Sequence, residues 1–564
     1  MKKLRNILII NRIKKVDNSD LFCVALFSFM LCIFAPFEIY LSNKGYFFFE
    51  GYEMLGYSVL AFCICFTVCA TCLFCSALIN DRFHSMILGL FFGGTIALYI
   101  QGNWDITDYG AWNGSNIDWK AFSSQKIVFG IVFVVLIVGC GIWGAIKSHQ
   151  LSAIAKYVSM FVNSILIVTL GVLLVSNGGM GKEKEYIATV DEELQLSNSK
   201  NMIVLLLDAY DSKSFSDIVL DNEDYLGIFN DFTYYPDTVG CYSSTDMSVP
   251  MIITGLDYKN DMLFGDYLNI AYENSDLMNW IDKNGWEKDI YFDGLLPQGR
   301  EGYSIANSKP LMRVVNNRKM LMNYMYTMVL FRYMPQPIKN HFYFYADNIK
   351  ATLNMVVGDY EPYSASNFEL YDVIDTTSAN KEKAVFQYIH VEGAHEPFNL
   401  TEDFVQSDNE TSYEDECKGV LLLVNKFLDT LKENGVYDDT VIVIMADHGY
   451  YDKRQNPLLL VKGYDEHHDF SISDAPVSYY DLQTIFVNLI SGKSDSTNVV
   501  SYSEKEDEEG RVFRSVPWNT HLNYDTYSGT IEEIRFYGGA KDVLNCVDNV
   551  AVYASPMESD YIIK

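Results

Sequence analysis

Four short pieces of this sequence hold side chains that can do chemistry together. Asp208 follows the apolar run Met202–Leu207, and Asp447-His448 follow the run Thr440–Ala446. The string SSTDMSVP (243–250) crowds hydroxyls into one segment, and HVEGAHEPF (390–398) carries His390 and His395. Two carboxylates, a hydroxyl and an imidazole form a mixed oxygen and nitrogen donor set. Zn²⁺ or Mn²⁺ accepts such a set, so one divalent metal ion is the expected cofactor. A Thr hydroxyl is a poor nucleophile at neutral pH. A bound cation stabilises its alkoxide, as it does hydroxide from water, whose pKa it lowers to about 7. The same cation neutralises an oxygen on the group under attack. The chemistry implied is covalent displacement at phosphorus or sulfur. Singly, each piece has a plainer reading. A strand-end Asp often caps a helix, Ser/Thr clusters usually make turns, and a lone loop His is usually solvated. Order, spacing and placement together carry the case.

The elements that must position these groups are legible as alternating patterns. Met202–Leu207, Asp289–Phe292, Ala384–His390, Thr440–Ala446 and Leu458–Val461 are short apolar runs bounded by turns, the pattern of buried strands. Tyr413–Glu433 and Tyr479–Ile490 read as helices between them. Strands alternating with helices predict an α/β sheet covered on both faces, with ligands just past the carboxyl ends of its strands. Beyond residue 496 the character changes. An acidic patch at Glu504–Glu509 leads to short strand-like pieces at Ile531–Tyr537 and Val550–Tyr553, read as a small β-rich subdomain.

The chain has 564 residues, enough for three or four units at about 100–200 residues each. With 49% hydrophobic and 20% charged residues it is not a disordered chain. A net charge of −31 excludes a nucleic-acid partner, which needs a basic face. The charge is unevenly spread. Residues 1–176 hold 12 Lys and Arg against 9 Asp and Glu, whereas the remainder holds 30 against 64. Eight of the eleven Cys lie in the first third, where they act as small apolar residues, and the sparse remainder is no disulfide framework.

Five apolar runs near 21–43, 55–79, 84–101, 126–146 and 153–176 each approach the ~20 residues a membrane-spanning helix needs. Lys2, Lys3, Arg5, Arg12, Lys14 and Lys15 place the N-terminus inside, and Arg82 and Lys147 then fall in cytoplasmic loops. Five crossings put residues 177–564 outside. The expected organisation is a polytopic transmembrane domain (1–176), a juxtamembrane linker (177–199), an extracytoplasmic α/β domain (200–495) and a C-terminal β-rich part (496–564). The expected location is the plasma membrane.

At this point the residues resemble a family. Architecture and motifs are similar to the membrane-anchored branch of the alkaline phosphatase/sulfatase superfamily. That branch includes lipoteichoic acid synthases and lipid A phosphoethanolamine transferases. In the phosphoethanolamine transferases a nucleophilic Thr lies three residues before Ser-Val-Pro, as Thr245 lies before Ser248-Val249-Pro250. The resemblance implies Thr245 as nucleophile, with Ser243 and Ser244 as the other candidates. It implies Asp208, Thr245, Asp447 and His448 as metal ligands. His395 would bind or protonate the transferred or leaving group, and His390 would face the site.

Two departures stand out. Those transferases carry a further His about a dozen residues after the Asp-His pair. Here Arg454 and Asn456 occupy that stretch, and an Arg there holds a phosphate or sulfate oxygen bidentately. The sulfatase motif Cys/Ser-x-Pro-x-Arg is not matched by Cys241-Tyr242-Ser243-Ser244.

The resemblance implies transfer of a phosphoalcohol headgroup from a membrane phospholipid donor to a cell-surface glycan acceptor through a phosphothreonine. The alternative is a phosphodiester or sulfate-ester hydrolase. One further stretch is unusual. Residues 309–350 carry seven Lys and Arg against the single acid Asp347, and are rich in Met, Tyr and Phe. They read either as helices packed on the sheet or as a helix resting on the outer leaflet.

Overall fold

The computed structural model describes residues 18–44, 49–104, 119–181, 185–259, 264–294, 304–343, 346–356, 359–450, 456–499, 510–515, 532–536 and 550–553. It also describes positions 16, 47, 107, 109, 117 and 296. Contacts divide the chain into two units. One contains residues 1–183 and 313–356, the other 184–312 and 357–561.

The first unit is built on five helices long and apolar enough to cross a membrane. These are α1 (Asn18–Ser42), α2 (Tyr52–Ile79), α3 (Asp81–Trp104), α4 (Ser123–Ile146) and α5 (Ser148–Ser176). The short run at 84–101 thus belongs to a 24-residue helix. Helices α3 and α4 approach at their backbones. A Cβ on Gly89 would come within 2.2 Å of the Cys140 carbonyl, and one on Gly144 within 2.1 Å of the Ser85 carbonyl. Close packing through small residues is how helices associate where lipid removes the hydrophobic drive.

The basic stretch belongs to this unit. Its helix Arg318–Tyr333 packs on α1, α2 and α3, so the first of its two sequence readings, packing on the sheet, is replaced. Arg332 Nη1 lies 2.6 Å from Glu38 Oε2, and its Nε donates to the Gly102 carbonyl at 2.9 Å. Arg318 pairs with Glu53. The Tyr326 hydroxyl donates at 3.3 Å to the Cys32 carbonyl, inside the π-helical turn Met30–Phe34 of α1. Such a turn breaks the regular i→i−4 ladder, and here a neighbouring hydroxyl bonds one of its carbonyls.

The second unit is organised by a seven-stranded mixed sheet. Its strands are β1 (Asn201–Leu207), β2 (Thr233–Tyr234), β4 (Glu287–Tyr291), β5 (Val385–Val391), β6 (Thr440–Met445), β7 (Leu459–Lys462) and β8 (Ser471–Ile472). They lie in the order β8-β2-β7-β6-β1-β5-β4. β6, β1, β5 and β4 run parallel, and β7 is antiparallel to β6. Val204 sits opposite both Tyr388 and Val443. Every residue of β1, β5 and β6 is buried, which is why these strands read as unbroken apolar runs instead of alternating ones. A two-stranded pair joins β3 (Thr238–Val239) to β9 (Val477–Ser478).

Helix α6 (Thr245–Thr254) carries the hydroxyl cluster, and α7 (Tyr413–Glu433) matches its expected bounds. Ser412 and Asp415 form a capping box at the start of α7. Its Val420, Val424, Leu428 and Leu431 turn one buried stripe to the sheet. The segment expected as one helix over Tyr479–Ile490 opens with a 3₁₀ turn, and the α-helix begins at Leu482. At the C-terminus β10 (Arg511–Ser515), β11 (Glu532–Phe536) and β12 (Val550–Tyr553) form an antiparallel sheet. The acidic patch Glu504–Glu509 lies outside the described residues.

Candidate active site

The parallel register of the central strands brings their carboxyl ends together. Asp208 follows β1, His390 is the penultimate residue of β5, and Asp447-His448 follow β6. Local backbone fixes Asp208 firmly. Its N–H donates to the Val391 carbonyl at 3.1 Å, and its carbonyl accepts from Ala394 at 2.8 Å. Ala209 then turns sharply at φ 56°, a left-handed conformation costly for a residue with a Cβ. Gly393 crosses close by at φ 57°, where a Cβ would come within 2.4 Å of the Asp208 nitrogen. Glycine is required there by both space and φ.

Thr245 is the first residue of α6. Its hydroxyl donates to Asp208 Oδ2 at 3.2 Å and lies 3.4 Å from His448 Nε2. Behind it the Ser248 hydroxyl donates to the Tyr242 carbonyl at 3.0 Å, tying the helix to its own entry loop. The far end stops at Gly255, φ 77°. There the Gln483 amide donates to the carbonyls of Ile252 and Ile253 at 3.1 and 3.0 Å.

Asp208, Asp447 and His448 offer ligand atoms that all lie within 4.8 Å of one another, and all three residues are buried. Asp447 Oδ1 accepts from the N–H groups of Ala209 and His448 at 3.2 and 2.9 Å. His448 Nδ1 donates to the Gly449 carbonyl at 2.8 Å, so in the neutral ring Nε2 presents its lone pair. That nitrogen lies 3.6 Å from Asp208 Oδ1 and 3.5 Å from Asp447 Oδ2. Both of those oxygens are buried without a hydrogen-bond partner. Two anionic oxygens and a nitrogen lone pair converging in a buried space are costly alone, and a cation between them removes the cost. The donor chemistry fits a divalent ion.

The charges respond to this crowding. Burial pushes Asp208 up, but the hydrogen bond from His390 and the positive His448 and His390 outweigh it and hold the carboxyl at about 2. Burial and the neighbouring Asp208 charge push Asp447 up. Burial lowers His390, yet its bonds to Asp208 and Asp293 raise it to about 10.

The remaining sequence candidates separate. His390 joins the cluster, its Nε2 3.3 Å from Asp208 Oδ2. His395 stands at the rim with Nδ1 donating to the Glu396 carbonyl at 2.6 Å, not to a member of the cluster. Asn456 is buried and its amide donates to the Thr238 carbonyl at 3.0 Å, a tie between loops. Arg454 lies outside the described residues. Two participants escaped the sequence reading. Asp293, two residues past β4, places Oδ1 3.6 Å from His390 Nδ1, and the strand-end rule applied to Asp289–Phe292 would have found it. Tyr413 donates to the Ala209 carbonyl and Asp211 Oδ2, each at 2.9 Å, bracing the turn after Asp208. No sequence signal marked it. A second acidic group, Glu192, Glu287 and Asp289, surrounds the ammonium of Lys381, which lies 2.6 Å from Glu192 and 3.7 Å from Asp289. That place is filled by the chain's own cation.

Residues 201–471 match the family described as Sulfatase. Five apolar helices precede the matched segment. No curated protein matches the sequence significantly. Among solved structures the chain is similar to Ps i-CgsB in complex with k-i-k-neocarrahexaose. The identity is 16% over 60% of this chain and 82% of that one, with a TM-score of 0.37. It is also similar to an alkaline phosphatase superfamily protein from Vibrio parahaemolyticus (11%, 66% and 85%, TM-score 0.32). A third is the lipoteichoic acid synthase LtaP from Listeria monocytogenes (12%, 62% and 85%, TM-score 0.31).

Proposed function

We propose that this chain is a membrane-bound, metal-dependent transferase. It moves a phosphoalcohol headgroup, phosphoglycerol or phosphoethanolamine, from a phospholipid to a cell-surface glycan. The observation that carries the reading is the Thr245 hydroxyl, 3.2 Å from Asp208 within a buried acid and histidine cluster. Asp208, Asp447, His448 and the Thr245 hydroxyl would hold one divalent cation, Mn²⁺ or Zn²⁺. When bound, that ion stabilises the alkoxide and neutralises an oxygen of the group attacked.

The chain's own residues account for the rest. Thr245 gives up its hydroxyl proton to solvent and forms the Oγ–P bond as the bond from phosphorus to the diacylglycerol oxygen breaks. Its place at the start of α6 turns the positive end of a helix toward the phosphate. His395, at the rim, protonates the departing diacylglycerol, and a glycan hydroxyl then displaces phosphorus from Thr245. His390, bonded to Asp208 and 3.6 Å from Asp293, fixes the orientation of Asp208. Five apolar helices confine the domain beside a lipid substrate, with the domain on the outer face of the plasma membrane.

A cysteine-based sulfatase is disfavoured. Cys241 is fully buried, and burial pushes its thiol up to about 12. Hydrolysis at the same site is the second reading, favoured by the family match itself.

The test is the mass of the full-length protein after incubation with vesicles of phosphatidylglycerol and phosphatidylethanolamine and Mn²⁺ or Zn²⁺. A headgroup adduct on wild type, absent from Thr245→Ala, is expected, and its mass names the headgroup. Turnover of a soluble phosphodiester or sulfate ester that needs Thr245, with no lipid adduct, would sink the transferase and leave the hydrolase.

A further inference from the structure

The segment that delivers Thr245 is held from the far end of the chain. The Arg514 N–H donates to the Cys241 carbonyl at 2.8 Å, and the Arg514 carbonyl accepts from Ser243 at 3.1 Å. Tyr242 and Arg514 thereby form a parallel bridge just ahead of the nucleophile. The buried Arg514 side chain continues past the helix. Its Nη1 lies 2.8 Å from Asp257, three residues beyond the end of α6, and its Nη2 lies 3.3 Å from Glu533. The guanidinium also stands over the rings of Tyr242 and Tyr480, at 5.8 and 5.6 Å. One residue therefore grips both the entry and the exit of the helix that carries Thr245.

Three positions earlier, buried Arg511 holds Asp237. Its Nη2 is 2.8 Å from Oδ1, and its Nη1 donates to the Asp237 carbonyl at 2.8 Å and the Val477 carbonyl at 3.1 Å. Phe513 and Phe536 close over Val239 between these two anchors. Burying two guanidiniums is expensive unless their partners are fixed. Apolar side chains would join a passive subdomain at less cost.

We propose that β10 is a clamp on the loop 237–244 and that Arg514 is a positioning residue for Thr245. The inference rests on reading Thr245 as the nucleophile. Displacing a reacting atom by about 1 Å costs on the order of 100-fold in rate. The entry loop is also tied by the pairing of β3 with β9, by the Asn456 amide on the Thr238 carbonyl at 3.0 Å, by the Tyr242 hydroxyl on the Tyr258 carbonyl at 2.8 Å and by the Ser248 bond, while Arg514 bonds the backbone of Cys241 and Ser243, the stretch next to Thr245. Arg514 is assigned no substrate contact, so its loss acts on the rate of Thr245 modification and not on lipid affinity.

The experiment uses the full-length protein in detergent with mixed phosphatidylglycerol and phosphatidylethanolamine and Mn²⁺. Wild type is compared with Arg514→Gln, Arg514→Lys and Thr245→Ala. Two readouts are taken. In Arg514→Gln, hydrogen exchange over residues 238–250 is expected to quicken more than about tenfold while β6 is unchanged. The rate of adduct formation at saturating lipid is expected to fall about 30- to 100-fold, with half-saturating lipid and Mn²⁺ affinity within about threefold. Arg514→Lys keeps a cation opposite Asp257 and is expected to recover part of both. If Arg514→Gln does not fold, Arg514→Lys carries the same two comparisons with smaller effects.

Unchanged exchange overturns the clamp. So does a rate within threefold of wild type while Thr245→Ala forms no adduct, or a loss confined to lipid affinity. Quickened exchange with full turnover by Thr245→Ala upholds the clamp and removes the nucleophile reading instead.

Discussion

Asp208 Oδ1 and Asp447 Oδ2 are buried without hydrogen-bond partners and both face His448 Nε2. In the metal-free protein burial and the neighbouring Asp208 charge both penalise an ionised Asp447, which gives Asp447→Asn an unusual signature. The amide keeps an oxygen for Ala209 and His448 and removes one negative charge, so the metal-free variant should melt no lower than metal-free wild type. At Mn²⁺ a hundredfold above its dissociation constant, wild type should gain about 2.7 kcal/mol while the variant barely moves. Activity should fall more than about 100-fold. A metal-free Asp447→Asn that melts well below wild type would mean the carboxylate has a structural partner instead. Asp289 offers a pH test away from the site. Burial pushes its carboxyl up to about 7, although Lys381 and Gln387 oppose the shift. The folded state then keeps a proton that the unfolded chain, near 3.9, gives up. Stability from this group is fully present below about pH 4 and is lost as pH rises through about 7. Asp289→Asn should therefore gain on wild type in unfolding free energy between pH 4.5 and 8. Denaturant titrations at both pH values check it, and a constant difference refutes it.

Elements were legible where burial is complete and local. β1, β5 and β6 sit between strands on both sides, so their apolar runs are continuous and their ends could be read within a residue or two. The placement of Asp208, His390 and Asp447-His448 followed from those ends. What escaped depends on contacts between distant segments. Nothing local in Gln483 shows that it caps α6, 231 positions back at Ile252. Nothing in Tyr479-Tyr480-Asp481 shows that the helix waits until Leu482. Residues 313–356 betray only their charge and their Met and Tyr content, and their packing on apolar helices is a tertiary fact. Gln483 makes the distinction testable. Besides its two donor bonds it accepts from the Ser275 hydroxyl at 3.1 Å and the Leu277 N–H at 3.0 Å. Gln483→Ala orphans these buried groups and should cost about 1–3 kcal/mol. Gln483→Glu, which aims a carboxylate at the carbonyls of Ile252 and Ile253, should cost more. The order of urea midpoints, wild type above Ala above Glu, is the check.

At the scale of the molecule, the helical unit contains its own argument about sidedness. Successive spans alternate in direction, so the end of α1, the start of α2 and the end of α3 lie at one end of the bundle. Among the described residues the ion pairs of the helix Arg318–Tyr333 go there, from Arg332 to Glu38 and from Arg318 to Glu53, and Arg332 also donates to the Gly102 carbonyl. Glu38 and Glu53 in otherwise apolar helices are costly without these partners, so this end of the bundle is completed by residues far along the chain. The basic N-terminal arm predicts that the opposite end faces the cytoplasm. Exposed Lys319 should then face outward, and Lys147, between α4 and α5, inward. Single substitutions Lys319→Cys and Lys147→Cys, probed in intact cells with a membrane-impermeant maleimide, separate the two faces. Labelling at 319 well above the wild-type background, and at 147 only after the membrane is opened, is the expected result. Labelling at 147 alone would invert the protein and bring the α/β domain inside, where a surface glycan could not serve as acceptor.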